Sequence, residues 1–270
     1  VETSGVLSFS GNYSFTASGS IAGSGAVRFT GGTINIPAGL FNPTGPVSFG
    51  GGTVTINNAF TPLSLGAISG TVIFTSTLNF AGAITVTGSA SFAQPQSFSS
   101  MILSGVLTGI ADITDTGSLT WQSGSMTGAG KTIVPTGATL NISGGSTHTL
   151  SRQIISSGST SWTGGGIAMN GGTFINNGSF SADSGGTLQF YGAGGTNVFT
   201  TTGTFAKQGP GDAIFFAAPA AIPFTNTGIL TISGGTLSLG GGSTTTGITV
   251  QTGAVLTFTA GFTYSAGGGL

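Results

Sequence analysis

The feature that most constrains this chain is a phrase it repeats. Residues 25–36 read GAVRFTGGTINI and residues 45–56 read GPVSFGGGTVTI. Twenty residues separate the copies, and Val27 returns as Val47, Phe29 as Phe49, Thr33 as Thr53 and Ile36 as Ile56. The Gly-Gly-Thr start recurs as GGTFIN at 171, GGTLQF at 185 and GGTLSL at 234. A second phrase opens on Thr-Gly: TGATLNI at 136, TGTFAK at 202, TGILTI at 227, TGITVQ at 246 and TGAVLTF at 252. Self-similarity at such a period marks a chain built of stacked units, and counting the phrases predicts roughly eleven units of about 20–27 residues.

Within each phrase apolar and polar residues alternate, as in Val-Arg-Phe, Ile-Asn-Ile and Leu-Ser-Leu. Period two puts alternate side chains on opposite faces of a strand. The runs are short and end at Gly, Asn, Ser or Pro, which is strand punctuation. No segment carries the i, i+3, i+4, i+7 pattern of a helix. The class is therefore all-β. The turns are rich in GG and GGG, and two-residue Asn-Gly signals occur only at Asn170-Gly171 and Asn177-Gly178. Hairpins prefer those Asn-Gly turns. Repetition and turn chemistry together favour a parallel β-helix (β-solenoid), read as one continuous solenoid over residues 1–270; a β-sandwich is the alternative. Stacked coils would set Val27 over Val47 and Phe29 over Phe49, which accounts for 20 Phe in one chain.

Charge is what the chain lacks. Only 3% of residues are charged and the net charge is −1, against about 25% charged in ordinary soluble domains. Aromatic and β-branched residues are plentiful, so the composition is that of an ordered chain. The cations are Arg28, Lys131, Arg152 and Lys207, and they are scattered. Neutralising nucleic-acid phosphates takes clustered Lys and Arg, so no nucleic-acid partner is expected. No window reaches the ~18 apolar residues of a membrane helix; the nearest, AIFFAAPAAIPF at 213–224, is broken by Pro219 and Pro223. There is no Cys, which removes disulfides and thiolate chemistry. VETSGVLSFS carries no basic region followed by an apolar stretch, and with no Met at its head the chain reads as processed or as part of something longer.

The phrases NTGILTISGGTLSLGGGSTTTG (226–247) and TGAVLTFTAGFTYSAGGG (252–269) resemble the low-charge Gly/Thr/Asn-rich repeats of large bacterial surface proteins. Autotransporter passenger domains and filamentous-haemagglutinin-type adhesins are the nearest groups. The resemblance implies a right-handed β-helix, export to the cell surface, and adhesive or structural work. The chain departs from it in lacking a translocator barrel and a strict repeat length.

Parts for chemistry are few. The acids are Glu2, Asp112, Asp115, Asp183 and Asp212. Asp112 and Asp115 in ADITDTG could form the carboxylate pair of a glycosidase or a Ca²⁺ seat. Residues three apart on a strand face opposite ways, which favours a turn using Asx chemistry. The alternative function is a carbohydrate-active β-helix enzyme, a lyase or hydrolase, using these two acids, with Arg152 as a further candidate. His148 is the only His, without a second His or Cys to share a metal, and reads as a solvated or hydrogen-bonded strand residue. Lys131 and Lys207 sit between glycines and read as solvent-facing turn lysines, with an isopeptide bond as the sharper reading. Trp121 and Trp162 could stack on sugars but read better as core. The Thr-x-Thr pairs at 75, 85, 147, 225 and 257 are too irregular for an ice-binding array. Asn12, Asn141 and Asn177 match the glycosylation sequon in a chain where Ser and Thr make chance matches common. No catalytic, cofactor-binding or metal site is assigned.

Alternation runs through VLSF and YSF at one end and LTFTAGFTYSAGGGL at the other. A solenoid without caps exposes strand edges. The reading is a structural, extracellular β-solenoid that joins copies of itself head to tail and laterally: a surface filament subunit or the stalk of a giant adhesin. Cell-surface glycans are a possible partner, and a sugar- or ice-binding module is the further alternative.

Overall fold

The computed structural model describes residues 1–15 and 19–265. The last five residues of the LTFTAGFTYSAGGGL stretch lie outside them. All regular structure among the described residues is strand, without a helix. Strand pairs with strand in parallel, which is the pairing of a coil and not of a hairpin-built sandwich. The fold is a β-solenoid of about thirteen turns, where phrase counting predicts roughly eleven. The difference comes from tighter coils than the phrases suggest. Val54 pairs with Val72 and Val72 with Ala90, eighteen residues each time, and Ala90 pairs with Leu107 after seventeen. The described residues form two compact units: Val1–Thr116 with Thr127–Gly130, and Gly117–Met126 with the chain from Lys131 onward.

In the first unit the opening phrases are successive coils. Strand Ala26–Ile36 pairs with strand Val47–Ile56. Val27 faces Val47, Phe29 faces Phe49, Ile34 faces Val54 and Ile36 faces Ile56. All eight side chains are buried. The outward partners are Arg28 with Ser48 and Asn35 with Thr55. Phe9, Phe29 and Phe49 form one stack, with centroids 5.2 and 5.3 Å apart and planes 11° and 5° from parallel. A buried Phe contributes roughly 1.5–3 kcal/mol by area, and ring pairs add about 0.5–1.5 kcal/mol. Phe74 and Phe92 continue the device at 5.0 Å and 7°.

Glycine permits the tight corners. Gly52 has φ +73°, and a Cβ there would lie 2.3 Å from the carbonyl oxygen of Gly32 one coil back. Only glycine enters that region freely, and no larger residue lets the coils close to their hydrogen-bonding distance.

The second unit is richer in aromatic ladders. Strand Ser179–Asp183 pairs with strand Thr204–Gln208, placing Phe180 on Phe205 with centroids 5.0 Å apart. Phe174 stacks on Phe199, and Phe199 on Phe224, at 5.5 and 5.3 Å. Phe190 stacks on Phe215 at 4.8 Å. The ladders meet edge to face in the centre, as Phe199 does with Phe215 at 68°. Most of the Phe content is thus consumed by the interior.

Candidate functional site

Asp112 and Asp115 do not form a carboxylate pair on one face. Asp112 precedes strand Ile113–Trp121 and is half-buried, while Asp115 lies within the strand and is buried. The strand also corrects the expectation of a turn for Asp115, while Asp112 follows the bend at Ile110 and Ala111. Asp115 shares the parity of Ile113, so the pleat carries it inward. Arg152 is buried too, and its guanidinium donates to the carbonyl of Lys131 at 2.8 Å. Among the described residues no three His, Cys, Asp or Glu side chains gather in a metal-binding group.

His148 sits in strand His148–Leu150, fully buried. Its Nε2 is 3.0 Å from the carbonyl oxygens of both Trp121 and Ser143, and its Nδ1 is 3.3 Å from that of Gly166. The Trp121 ring packs edge-on against it at 4.8 Å. The reading as a hydrogen-bonded strand residue holds, and the solvated version does not. Burial pushes the imidazole pKa below its ordinary value of 6.5, while the surrounding carbonyls, that of Trp121 foremost, act in the opposite sense. The site holds a neutral ring by desolvation.

Lys207 departs most from expectation. It lies in strand Thr204–Gln208, shares the parity of Phe205, and is buried, not turn-borne and solvent-facing. Its ammonium donates to the carbonyls of Gln208, Gly209 and Gly234, the last two at 3.0 and 3.1 Å. These acceptors compensate a charge taken out of water. Burial lowers its pKa from the usual 10.5, and the Asp183 and Asp212 carboxylates partly restore it. The isopeptide reading gains no support, because the amine's partners are backbone carbonyls. Lys131 stands exposed at the start of strand Lys131–Val134.

A polar ladder runs inside the second unit, and the sequence reading missed it. Ser156, Asn176, Thr201, Asn226 and Thr244 occupy one register position on successive coils, and all are fully buried. Asn176 donates to Thr201 Oγ1 and to the Thr204 carbonyl, both at 2.9 Å. Asn226 donates to Thr244 Oγ1 and Thr246 Oγ1, again at 2.9 Å. Ser156 bonds Thr160 at 2.8 Å. The ladder lies beside a glycine column. A Cβ on Gly178, Gly203 or Gly228 would come within about 2 Å of the carbonyl of the glycine one coil back. The available signal is a polar residue two positions before each such glycine: SSG, NNG, TTG and NTG.

Both Trp residues are core, as expected; each is fully buried. Trp162 donates Nε1–H to the Gly165 carbonyl at 3.0 Å. The Thr-x-Thr pairs do not stack on one another: Thr85 faces Ile102, and Thr257 faces Ser238. Of the sequon asparagines, Asn12 and Asn177 are exposed and Asn141 is half-buried.

Two kinds of surface remain. One is the outermost coil of each unit. In the second unit, strands Ile248–Val250, Val255–Phe258 and Phe262–Tyr264 each pair on one side only among the described residues. Val250, Val255 and Phe258 are exposed there. Phe258, Ala260, Phe262 and Tyr264 line an apolar recess of about 320 Å³. In the first unit, Leu7, Phe9, Tyr13, Phe15 and Ile21 line a recess of about 360 Å³, with Tyr13 exposed.

The other is a lateral groove of about 480 Å³ in the second unit, lined by Gly145, Thr147, Gly166, Gln189, Tyr191, Phe216, Ala218 and Pro219. One wall is residues 216–223, which leave the coil after strand Asp212–Phe215 and return at strand Phe224–Asn226. This is the apolar, proline-broken stretch that comes nearest to a membrane span in the sequence. No helix among the described residues is long and apolar enough to cross a membrane.

Comparison with protein-family models, with curated proteins and with solved structures finds no match for the chain.

Proposed function

We propose that this chain is a structural β-solenoid of the cell exterior and not an enzyme. It serves as the subunit of a surface filament or the stalk of a large adhesin, growing by coil-on-coil addition at its end strands. The observation that carries this reading is the outermost coil of the second unit. Its strands pair on one side only among the described residues, and Phe258 is exposed where the inner coils bury the equivalent Leu239 and Phe215. Strand addition would supply main-chain hydrogen bonds, and the recess beside Phe258 would take the side chains of the next coil. Low charge supports the same reading, because little repulsion opposes association of like surfaces. The resemblance of residues 226–269 to exported surface repeats supports the extracellular placement.

Sedimentation velocity over a range of protein concentration tests it. The expected outcome is a ladder of species that grows with concentration and collapses to one species in a Val255→Lys/Phe258→Lys variant, since charge on an edge strand blocks pairing. A single species for the unsubstituted chain at every concentration contradicts the reading.

A further inference from the structure

The lateral groove of the second unit is a built feature. Coils around it are held to their path by ladder pairing, and the 216–223 excursion departs from that path. An insertion in a stacked repeat has no role in the ladder, and such insertions concentrate on the binding face of repeat proteins. Phe216 N–H still makes the ladder bond to the Phe190 carbonyl at 2.9 Å, and Ile222 N–H closes the excursion onto the Phe216 carbonyl at 3.0 Å. The excursion is tied back onto the coil at Gly192. Ala220 bridges Gly192 in antiparallel fashion. A Cβ on Gly192 would lie 2.0 Å from the Ala220 carbonyl oxygen, so glycine there lets the two backbones meet.

The floor is equally specific. Tyr191 and Gln189 are successive outward residues of strand Leu188–Gly194. Tyr191 reaches across to Thr147, its hydroxyl donating to Oγ1 at 3.3 Å. A Cβ on Gly166 would lie 3.2 Å from the edge of the Tyr191 ring, so glycine keeps room for that ring against the coil. Tyr191 and Phe216 are both half-buried. Their rings are held in place and still partly open, unlike the buried ladder rings.

We infer that this groove binds a neutral saccharide. The lining holds two aromatic rings, a carboxamide, two hydroxyls and no charged side chain. A pyranose offers a face of C–H groups polarised by their oxygens, which suits the negative face of an aromatic ring. Its hydroxyls both donate and accept, as do Gln189, Thr147 and the Tyr191 hydroxyl. An ionic ligand would find no counter-charge, and a purely apolar one would leave the carboxamide unpaired. The volume falls within the range of small-ligand sites. The site is independent of coil-end assembly, since none of its lining residues belongs to the outermost coil.

Saturation-transfer difference NMR on the full chain tests the inference. The probes are methyl β-glucoside, methyl β-galactoside and methyl α-mannoside, with glucuronic acid as the charged comparison, each on the order of 10 mM. The expected result is transfer to the ring C–H protons of at least one neutral glycoside and none to glucuronic acid. Tyr191→Ala then weakens binding about tenfold or abolishes it, whereas Tyr191→Phe, which keeps the ring, changes it about threefold or less. Circular dichroism and thermal unfolding of each variant check that the coil persists. If Tyr191→Ala does not fold, Gln189→Ala and Phe216→Ala carry the test. Absence of transfer to all three glycosides overturns the inference, as does binding unaffected by these substitutions or equal binding of glucuronic acid.

Discussion

Phe29 lies flat on Phe49, centroids 5.3 Å apart and planes within 5°. The two rings sit at equivalent positions of successive coils, both fully buried. Phe29 therefore packs against a copy of itself on each side, Phe9 being the other.

That stack predicts a large cost for Phe49→Ala. The substitution removes a buried ring and breaks the stack, and aromatic truncation in a core costs about 3–5 kcal/mol. Chemical denaturation of the variant should show loss in this range. A cost below about 1 kcal/mol would mean the rings are not packed as described.

The glycine column predicts a contrast between two similar substitutions. Gly203→Ala would place a Cβ 2.0 Å from the Gly178 carbonyl oxygen, whereas Gly185→Ala meets nothing within 4 Å. The first should destabilise by more than about 2 kcal/mol and the second should stay within about 0.5 kcal/mol of the parent chain. Thermal unfolding of the pair measures the difference.

The interior polar ladder predicts that Asn226 matters more than its small size suggests. Asn226→Ala leaves Thr244 and Thr246 without their shared donor and removes the Asn226 acceptor used by Gly228 N–H at 3.2 Å. Buried groups left without a partner cost about 1–3 kcal/mol. Hydrogen exchange should accelerate at the amides around Gly228 and Thr246 before it does at distant coils.

His148 predicts a pH dependence of defined sign. Its folded pKa lies below 6.5 because of burial. The unfolded chain therefore binds a proton that the folded chain resists. Stability is highest above pH ~6.5 and falls as pH drops through the window from 6.5 down to the folded value, by at most about 1.4 kcal/mol per pH unit. His148→Gln should flatten the profile in that window. A profile equally steep in the variant would assign the acid sensitivity elsewhere.

Much of this was legible in the residues, for a physical reason. Inward positions face a copy of themselves and so repeat, which makes Val27 to Val47 and Phe29 to Phe49 readable as a ladder. Trp121 and Trp162 also read as core, and both are buried. The polar interior was not read, because alternation was followed through apolar residues alone. Asp115 keeps step with Ile113, and Lys207 with Phe205, yet charge suggested a turn for each. Inwardness was written in the parity, and what made it tolerable was not: the carbonyls receiving Lys207 come from the next coil at Gly234 as well as from its own turn. The groove was legible only in part. Phe216 and Tyr191 lie twenty-five residues apart, which is one coil here, so the pairing of Phe190 with Phe215 sets them side by side; the return of the excursion onto Gly192, which walls the recess, has no such period.

The central claim is that coils add to coils beyond the described strands, and cryo-electron microscopy of the concentrated protein tests it most directly. The account predicts filaments whose strands run across the axis, with the roughly 4.8 Å coil spacing continuing through the junction between copies. Dispersed particles one chain long at every concentration, or filaments whose junctions interrupt that spacing, would contradict it.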